Sequence, residues 1–203
     1  MQFVVLSSSH GTTFQAIIDS LKDGSLTATC LGLIADREAR GCVEKAKQAG
    51  LPVKIVQKNP GEDRETYDRR LHKTILSLGL PSSVGGGAGG GGVIAAIGWM
   101  FLFSPWFVSR WKNRILNVHP SLLPKYPGTH AHDDVIVAGE KQSGMTIHII
   151  DEGLDTGPIL VQKKCSVLAS DTSETLKKKV QELEKEWYPK VLQMIERGEM
   201  KLP

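Results

Sequence analysis

The feature that most restricts the fold is a repeated alternation of short apolar runs with segments of helical periodicity. The first apolar run covers residues 3–6, and Phe14, Ile17, Ile18 and Leu21 then recur at helical spacing. A wholly apolar run of strand length is typical of a parallel strand that is covered on both faces. Further strand-like runs lie at 28–34, 53–56 and 93–97, with helical patterns between them. The alternation predicts an α/β fold, a doubly wound, mostly parallel sheet with helices on both faces and a Rossmann-like N-terminal half.

Length and composition fit one globular domain. The chain has 203 residues, of which 40% are hydrophobic and 23% charged, and these values are ordinary for a globular protein. The net charge of +3 falls short of the clustered basic face of a nucleic-acid binder, so no nucleic-acid partner is expected. We therefore expect a single domain over residues 1–203, as a monomer or a homodimer.

Cysteine usage and hydropathy predict a cytoplasmic location. Cys30, Cys42 and Cys165 are scattered, which supports neither a disulfide framework nor a zinc site. The N-terminus lacks the basic region of a signal peptide, and the longest apolar stretch, at 93–108, is too short to span a membrane. His130 and His132 lack a third ligand at fitting spacing, so no metal is expected.

Two segments stand outside the regular alternation. Residues 82–92 read SSVGGGAGGGG, a tract that we expect to form a flexible loop before the strand at 93–97. Near the C-terminus, Leu176, Val180 and Leu183 mark the inner face of a long helix, and Pro189 predicts that a second helical segment begins there and reaches Arg197.

The segment NVHPSLLP at 117–124 is the strongest candidate for chemistry. It follows an apolar lead-in and ends in prolines, so it reads as a buried strand that opens into a fixed loop. Asn117 and His119 lie two residues apart and therefore share one face of that strand. An amide and an imidazole there could stabilise an oxyanion and transfer a proton. A strand end with two structural hydrogen-bonding residues fits the same eight residues.

Other polar or aromatic loops follow predicted strands and would converge on one edge of the sheet. The loop at 7–13 could cradle a phosphate at a helix N-terminus or be an ordinary connection. The loop at 99–103 could hold a flat ligand or pack into the core. Asp155 lies in an acidic loop at 151–158, and His148 reads as a structural histidine of the preceding strand.

Two long motifs make the signal specific. NVHPSLLPKYPG and, further along the chain, SGMTIHIIDEGLDTGPI resemble the folate-dependent formyltransferases, and most closely the members that act on glycinamide ribonucleotide in purine biosynthesis. The resemblance extends over nearly the whole chain, including SSSHGTTFQAIID, DRETYDRRL, GWMFLFSPWFV and VQELEKEWYP. It implies transfer of a formyl group from 10-formyltetrahydrofolate, a cosubstrate, to an amine by direct attack through a tetrahedral intermediate, without a metal.

The resemblance also assigns roles to individual residues. It implies that Asn117, His119 and Asp155 are catalytic. It makes Gly11, Thr12 and Thr13 the phosphate cradle, with Arg64 and Glu184 as further contacts to glycinamide ribonucleotide. The cosubstrate would be held by Trp99, Met100, Phe101, Leu102 and Phe103 together with Asp151, Glu152 and Asp155.

The chain departs from the family pattern at several positions. Ser9, His10 and Thr13 stand where a second glycine and an asparagine are usual, Phe101 where an arginine is common, and Gln181 where some members have lysine. These changes leave room for another amine, such as an amino-sugar nucleotide, or for a non-catalytic ligand-binding relative. An NAD-dependent oxidoreductase is disfavoured, because the chain lacks the GxGxxG motif.

Overall fold

The chain folds into one sheet with helices packed on it. Within residues 1–81 and 92–203, which are the residues that the structure describes, the computed structural model contains seven strands and six helices. The strands are β1 (Gln2–Ser7), β2 (Thr29–Ala35), β3 (Val53–Ile55), β4 (Val93–Ala96), β5 (Ile115–His119), β6 (Gln142–Ile149) and β7 (Ile159–Ser166). The helices are α1 (Thr12–Lys22), α2 (Gly41–Gln48), α3 (Arg64–Ser77), α4 (Pro105–Arg110), α5 (Ala131–Val137) and α6 (Ser173–Glu196).

The strand order is β3-β2-β1-β4-β5-β6-β7. Strands β1 to β5 pair in parallel, whereas β6 is antiparallel to both β5 and β7. The mostly parallel sheet predicted from the sequence is therefore confirmed. From β1 the chain adds β2 and β3 toward one edge of the sheet, and from β4 it adds β5, β6 and β7 toward the other edge. The strand order therefore reverses between the neighbouring strands β1 and β4. In α/β sheets, ligands commonly bind at such a reversal.

Alternating side chains of the strands build a core on each face of the sheet. Phe3 and Val5 of β1 pack with residues of α1, α2, α5 and α6. Val4 and Leu6 pack on the opposite face with residues of α3 and α4. Because both faces of β1 are covered, its sequence is continuously apolar rather than alternating.

Of the glycine-rich tract at 82–92, residues 82–91 lie outside the described residues, so the predicted flexible loop is not tested. The predicted second helical segment at Pro189 is wrong, because Pro189 lies inside the continuous helix α6. Burial of Tyr188, Val191 and Leu192 on that helix outweighs the cost of about 3 kcal/mol that an interior proline imposes.

None of the helices in the described part of the chain is long and apolar enough to cross a membrane.

Candidate active site

Strand β5 ends at the carboxyl edge of the sheet and places two polar side chains there. In the antiparallel pairing of β5 with β6, Asn117 lies opposite His148 and His119 lies opposite Thr146. The period of two along each strand directs these four side chains to the same region. The pairing therefore joins the NVH motif to the TIH segment of β6.

His119 is fixed from two sides. Its Nε2 donates to the backbone carbonyl of Tyr126 at 2.7 Å, and its Nδ1 lies 3.3 Å from Oδ2 of Asp155. Burial of the ring lowers the pKa of His119, and the Tyr126 carbonyl and the Asp155 carboxylate oppose this effect without cancelling it. A carbonyl accepts only, so Nε2 carries the proton of the neutral ring and Nδ1 is the atom left to exchange a proton.

Asp155 lies in the β6–β7 loop with an unusual backbone conformation, φ 55°. A non-glycine residue with positive φ is uncommon and is held by its surroundings. Here the backbone N–H of Gly128 donates to Oδ2 at 2.9 Å. Burial by itself would raise the pKa of Asp155, but the His148 side chain, the Gly128 N–H and His119 together hold it below the ordinary value. The side chain is thus an ionised base at neutral pH.

His148 connects the other members of this cluster. Its Nδ1 donates to the carbonyl of Ile149 at 2.9 Å, while its Nε2 lies 3.1 Å from Nδ2 of Asn117 and 3.6 Å from Oδ1 of Asp155. Because Nδ1 carries the donated proton, Nε2 accepts from the Asn117 amide. The sequence indicates a structural role only for His148, because the alternation MTIHII puts it on the same face as Thr146 without showing that it pairs with Asn117.

The predicted phosphate cradle lies at the N-terminus of α1. Gly11 is the N-cap, with φ 76° and no side-chain cap, so the first amides of the helix face the site. The Thr13 hydroxyl does not face a ligand but donates to Oε2 of Glu184 at 2.8 Å. An anion would therefore meet backbone N–H groups and the half-buried Thr12 rather than the Thr13 side chain.

Glu184, on the α6 side of this cradle, has a perturbed acidity. Burial raises its pKa to about 7, against the lowering effects of the Thr13 hydroxyl and the Lys177 charge. At neutral pH the carboxyl group therefore exists in both protonation states. It can accept or donate a hydrogen bond, which suits recognition of hydroxyl groups.

The segment 99–103 forms an aromatic wall after β4. The rings of Trp99 and Phe101 lie 5.4 Å apart, and both contact Tyr67 of α3. Phe103 is buried, whereas Met100 and Leu102 are 61% and 56% exposed. Such exposure of neighbouring large apolar side chains beside a polar cluster fits a binding surface better than a core.

A backbone contact joins the loop before the aromatic wall to the loop before α1. The N–H of Ser8 donates to the carbonyl of Gly98 at 3.1 Å. A side chain at Gly98 would meet Ser9 at 2.9 Å, so the two loops approach as closely as glycine allows. The loops after β1 and β4 therefore meet where the strand order reverses.

The remaining predicted residues lie in the β6–β7 loop and at the start of α3. The Asp151 carboxylate is used within its own loop, where Oδ1 accepts from the Thr156 hydroxyl at 2.7 Å, and Glu152 is exposed. Arg64 begins α3 and is exposed, next to the N-cap Asp63. Among the described residues, no group of three His, Cys, Asp or Glu side chains is placed to hold a metal ion.

The chain is similar to known proteins along nearly its whole length. A family model described as formyl transferase matches residues 1–192. The phosphoribosylglycinamide formyltransferase of Escherichia coli (strain K12) is 34% identical over 202 residues, covering 100% of this chain and 90% of that protein. The trifunctional purine biosynthetic protein adenosine-3 of Drosophila melanogaster is 34% identical over 96% of this chain, which spans 14% of that longer protein.

Solved structures show the same relationship. The phosphoribosylglycinamide formyltransferase of Coxiella burnetii superposes with a TM-score of 0.89 at 33% identity, covering 100% of this chain and 90% of that one. Sequence and fold thus agree along nearly the whole length. The chain belongs to the formyl transferase family.

Proposed function

We propose that this protein transfers the formyl group of 10-formyltetrahydrofolate to the amine of glycinamide ribonucleotide in purine biosynthesis. The observation that carries the proposal is the connected cluster of Asn117, His148, Asp155 and His119 at the carboxyl edge of the sheet. It supplies an amide donor, an imidazole and an ionised carboxylate. Membership of the formyl transferase family and the names of relatives similar over the whole chain support this substrate.

The reaction needs no enzyme nucleophile. The substrate amine attacks the formyl carbon, and the formyl oxygen becomes an oxyanion in the tetrahedral intermediate. The Asn117 amide donates to this oxygen, and a proton on Nδ1 of His119 does the same. The new negative charge raises the pKa of His119 above its value in the free site, since an opposite charge nearby favours the imidazolium. One such donor contributes roughly a hundredfold to a thousandfold in rate.

Asp155 completes the proton balance. The bond between the amine nitrogen and the formyl carbon forms, and the bond between that carbon and N10 breaks. The amine must lose a proton and N10 must gain one. Asp155, ionised at neutral pH and 3.3 Å from His119, accepts the amine proton and returns it toward N10. Its low pKa favours release of that proton once the intermediate collapses.

The surrounding loops bind the two substrates in this proposal. The amides at Gly11, Thr12 and Thr13 bind the phosphate, and Arg64 and Glu184 contact the rest of the nucleotide. The aromatic wall at 99–103 and the loop with Asp151 and Glu152 hold the cosubstrate. We further infer one formyltransferase domain over residues 1–203 in the cytoplasm, where the free thiols of Cys30, Cys42 and Cys165 stay reduced.

The proposal is tested by incubating the protein with 10-formyltetrahydrofolate, with and without glycinamide ribonucleotide, and measuring release of tetrahydrofolate. We expect release only with the amine present. Release without the amine would indicate a deformylase, and no release in either case would refute a formyl-transfer enzyme. The Thr13 hydroxyl donates to Glu184 and so does not contact the phosphate. A parallel incubation with an amino-sugar nucleotide tests the alternative amine.

A further inference from the structure

The loop after β5 supplies the carbonyl group that orients His119. Tyr126 provides this carbonyl, 2.7 Å from Nε2 of His119, and it does so with φ 56°. A bulky residue in the left-handed region is strained by about 1–3 kcal/mol and persists only where other contacts fix it. The contacts that fix Tyr126 therefore also fix the catalytic ring.

The Tyr126 side chain is tied to Glu140, which follows α5. The Tyr126 hydroxyl donates to Oε1 of Glu140 at 2.9 Å, and Nζ of Lys125 donates to the same oxygen at 2.7 Å. The Lys125 ammonium and the Tyr126 hydroxyl hold the pKa of Glu140 below its ordinary value. The acceptor is thus a carboxylate at neutral pH, and hydrogen bonds to charged groups are stronger than neutral ones.

Packing supports the Tyr126 ring on one side only. A cavity of about 300 Å³ borders it and is lined by residues of the loop, of α5 and of β6, including Leu122, Lys125, Tyr126, Val135, Glu140 and Ser143. A side chain beside empty space lacks contact atoms on that side. The ring packs in part against the core on its other side, and the hydrogen bond to Glu140 fixes the hydroxyl end.

We propose that Glu140 is a positioning residue, which acts through the Tyr126 side chain to hold the Tyr126 carbonyl against His119. The inference rests on the proposed function, because it concerns the orientation of a residue of the formyl-transfer site. Glu140 itself is remote from the reacting atoms in this scheme. It sets the direction of the imidazole and the stability of its protonated form.

The proposal has a specific consequence for pH dependence. The Tyr126 carbonyl stabilises the imidazolium of His119, and a looser carbonyl lowers the pKa of the ring further. The other ionisable groups around His119 are Asp155 of the β6–β7 loop, His148 of β6 and His132 of α5. They keep their places when Glu140 is changed. The basic limb of the pH profile, where protonated His119 is lost, should then move to lower pH.

The experiment compares Tyr126→Phe, Glu140→Ala and their double variant with the wild-type protein, over about pH 5 to about pH 9. Both single variants should lower kcat by about threefold to tenfold, leave KM for both substrates within about twofold, and shift the basic limb to lower pH. The double variant should match the single ones, since both remove one contact. Glu140→Gln keeps an acceptor and should retain most of the activity.

Lys125→Met is the matched control. It removes the other partner of Glu140 but leaves the hydroxyl of Tyr126 on the carboxylate, so kcat and the pH limb should stay close to wild type. A kcat that falls without a shift of the limb, or an equal shift in Lys125→Met, would overturn the positioning role.

A second readout separates this inference from the proposed function. The pKa of His119, followed by NMR titration of its imidazole, should be lower in Glu140→Ala than in wild type even where no formyl acceptor is turned over. An unchanged pKa refutes the role of Glu140. Absence of formyl transfer in the wild type, together with a lowered pKa, would refute the proposed function alone.

Discussion

Nδ1 of His119 lies 3.3 Å from Oδ2 of Asp155, and the two residues are 36 positions apart in the sequence. The distance is long for a hydrogen bond but short for an ionic contact. In the proposed mechanism we expect the pair to shorten when the ring is protonated, because the imidazolium and the carboxylate then carry opposite charges. Apo geometries of catalytic pairs are often looser than those of the reacting complex.

Asp155→Asn tests this pair. Asparagine keeps the shape and can still accept from the Gly128 N–H, but it cannot take up the amine proton. We expect kcat to fall by about a hundredfold to ten-thousandfold with little change in unfolding temperature. Steady-state kinetics and thermal unfolding measure the two effects. Asp133→Asn, on the exposed side of α5, controls for the loss of one negative charge; equal activities in the two variants would remove Asp155 from the mechanism.

Asn117→Ala tests the oxyanion donor. The amide should be oriented by His148, 3.1 Å away, so that its second N–H points to the formyl oxygen. Its removal should lower kcat by about a hundredfold to a thousandfold, while KM changes much less, because the contact exists mainly in the transition state. Asn59→Ala, at an exposed loop position, is the control. A variant that mainly raises KM would make Asn117 a binding residue instead.

Glu184→Gln tests the raised acidity beside the phosphate cradle. The folded pKa of Glu184 is about 7, against a reference value of 4.5. Between these values the folded state binds more protons than the unfolded state, so stability is lost as pH rises through the folded pKa. Glutamine removes this dependence. The unfolding temperature of Glu184→Gln minus that of wild type should thus be larger at about pH 8 than at about pH 5; a constant difference would contradict the raised pKa.

The parallel half of the fold could be predicted from the sequence because local pattern and tertiary environment agree there. Residues 3–6 are apolar without alternation, and both faces of β1 are indeed buried. Asn117 and His119 could be placed on one face because the strand period is two. Their position at the carboxyl edge of the sheet followed from the order of strands and helices.

Contacts between distant segments could not be predicted in the same way. Thr13 meets Glu184 across 171 positions, and neither neighbourhood carries a sign of the other. The register that sets His148 opposite Asn117 joins two strands, and the alternation within each strand shows only which residues share a face. Such contacts arise from packing of whole elements, which a single sequence does not encode locally.

Tyr188→Phe tests a link between α6 and the active-site strand. The buried Tyr188 hydroxyl donates to the carbonyl of Leu116 in β5 at 2.9 Å. Phenylalanine fills the same space but removes the donor, so the free energy of unfolding should fall by about 1–2 kcal/mol. Denaturant unfolding measures the change. Because Asn117 keeps its ladder bonds, kcat should stay within about twofold of wild type; a large kcat loss would show that this hydroxyl also positions β5.

Gly11→Ala tests the close packing of the phosphate cradle, with Gly24→Ala as a matched control. Both glycines have positive φ, 76° and 80°, but a Cβ at Gly11 would lie 2.8 Å from Cα of Cys42, whereas one at Gly24 meets nothing within 4 Å. Gly24→Ala should therefore cost only the strain of the left-handed backbone, about 1 kcal/mol. Gly11→Ala adds a backbone clash and should cost clearly more, while raising KM for the phosphorylated substrate as the first amides of α1 shift. Denaturant unfolding and steady-state kinetics on both variants measure the two effects. Equal losses of stability and an unchanged KM would show that the cradle tolerates a side chain at Gly11.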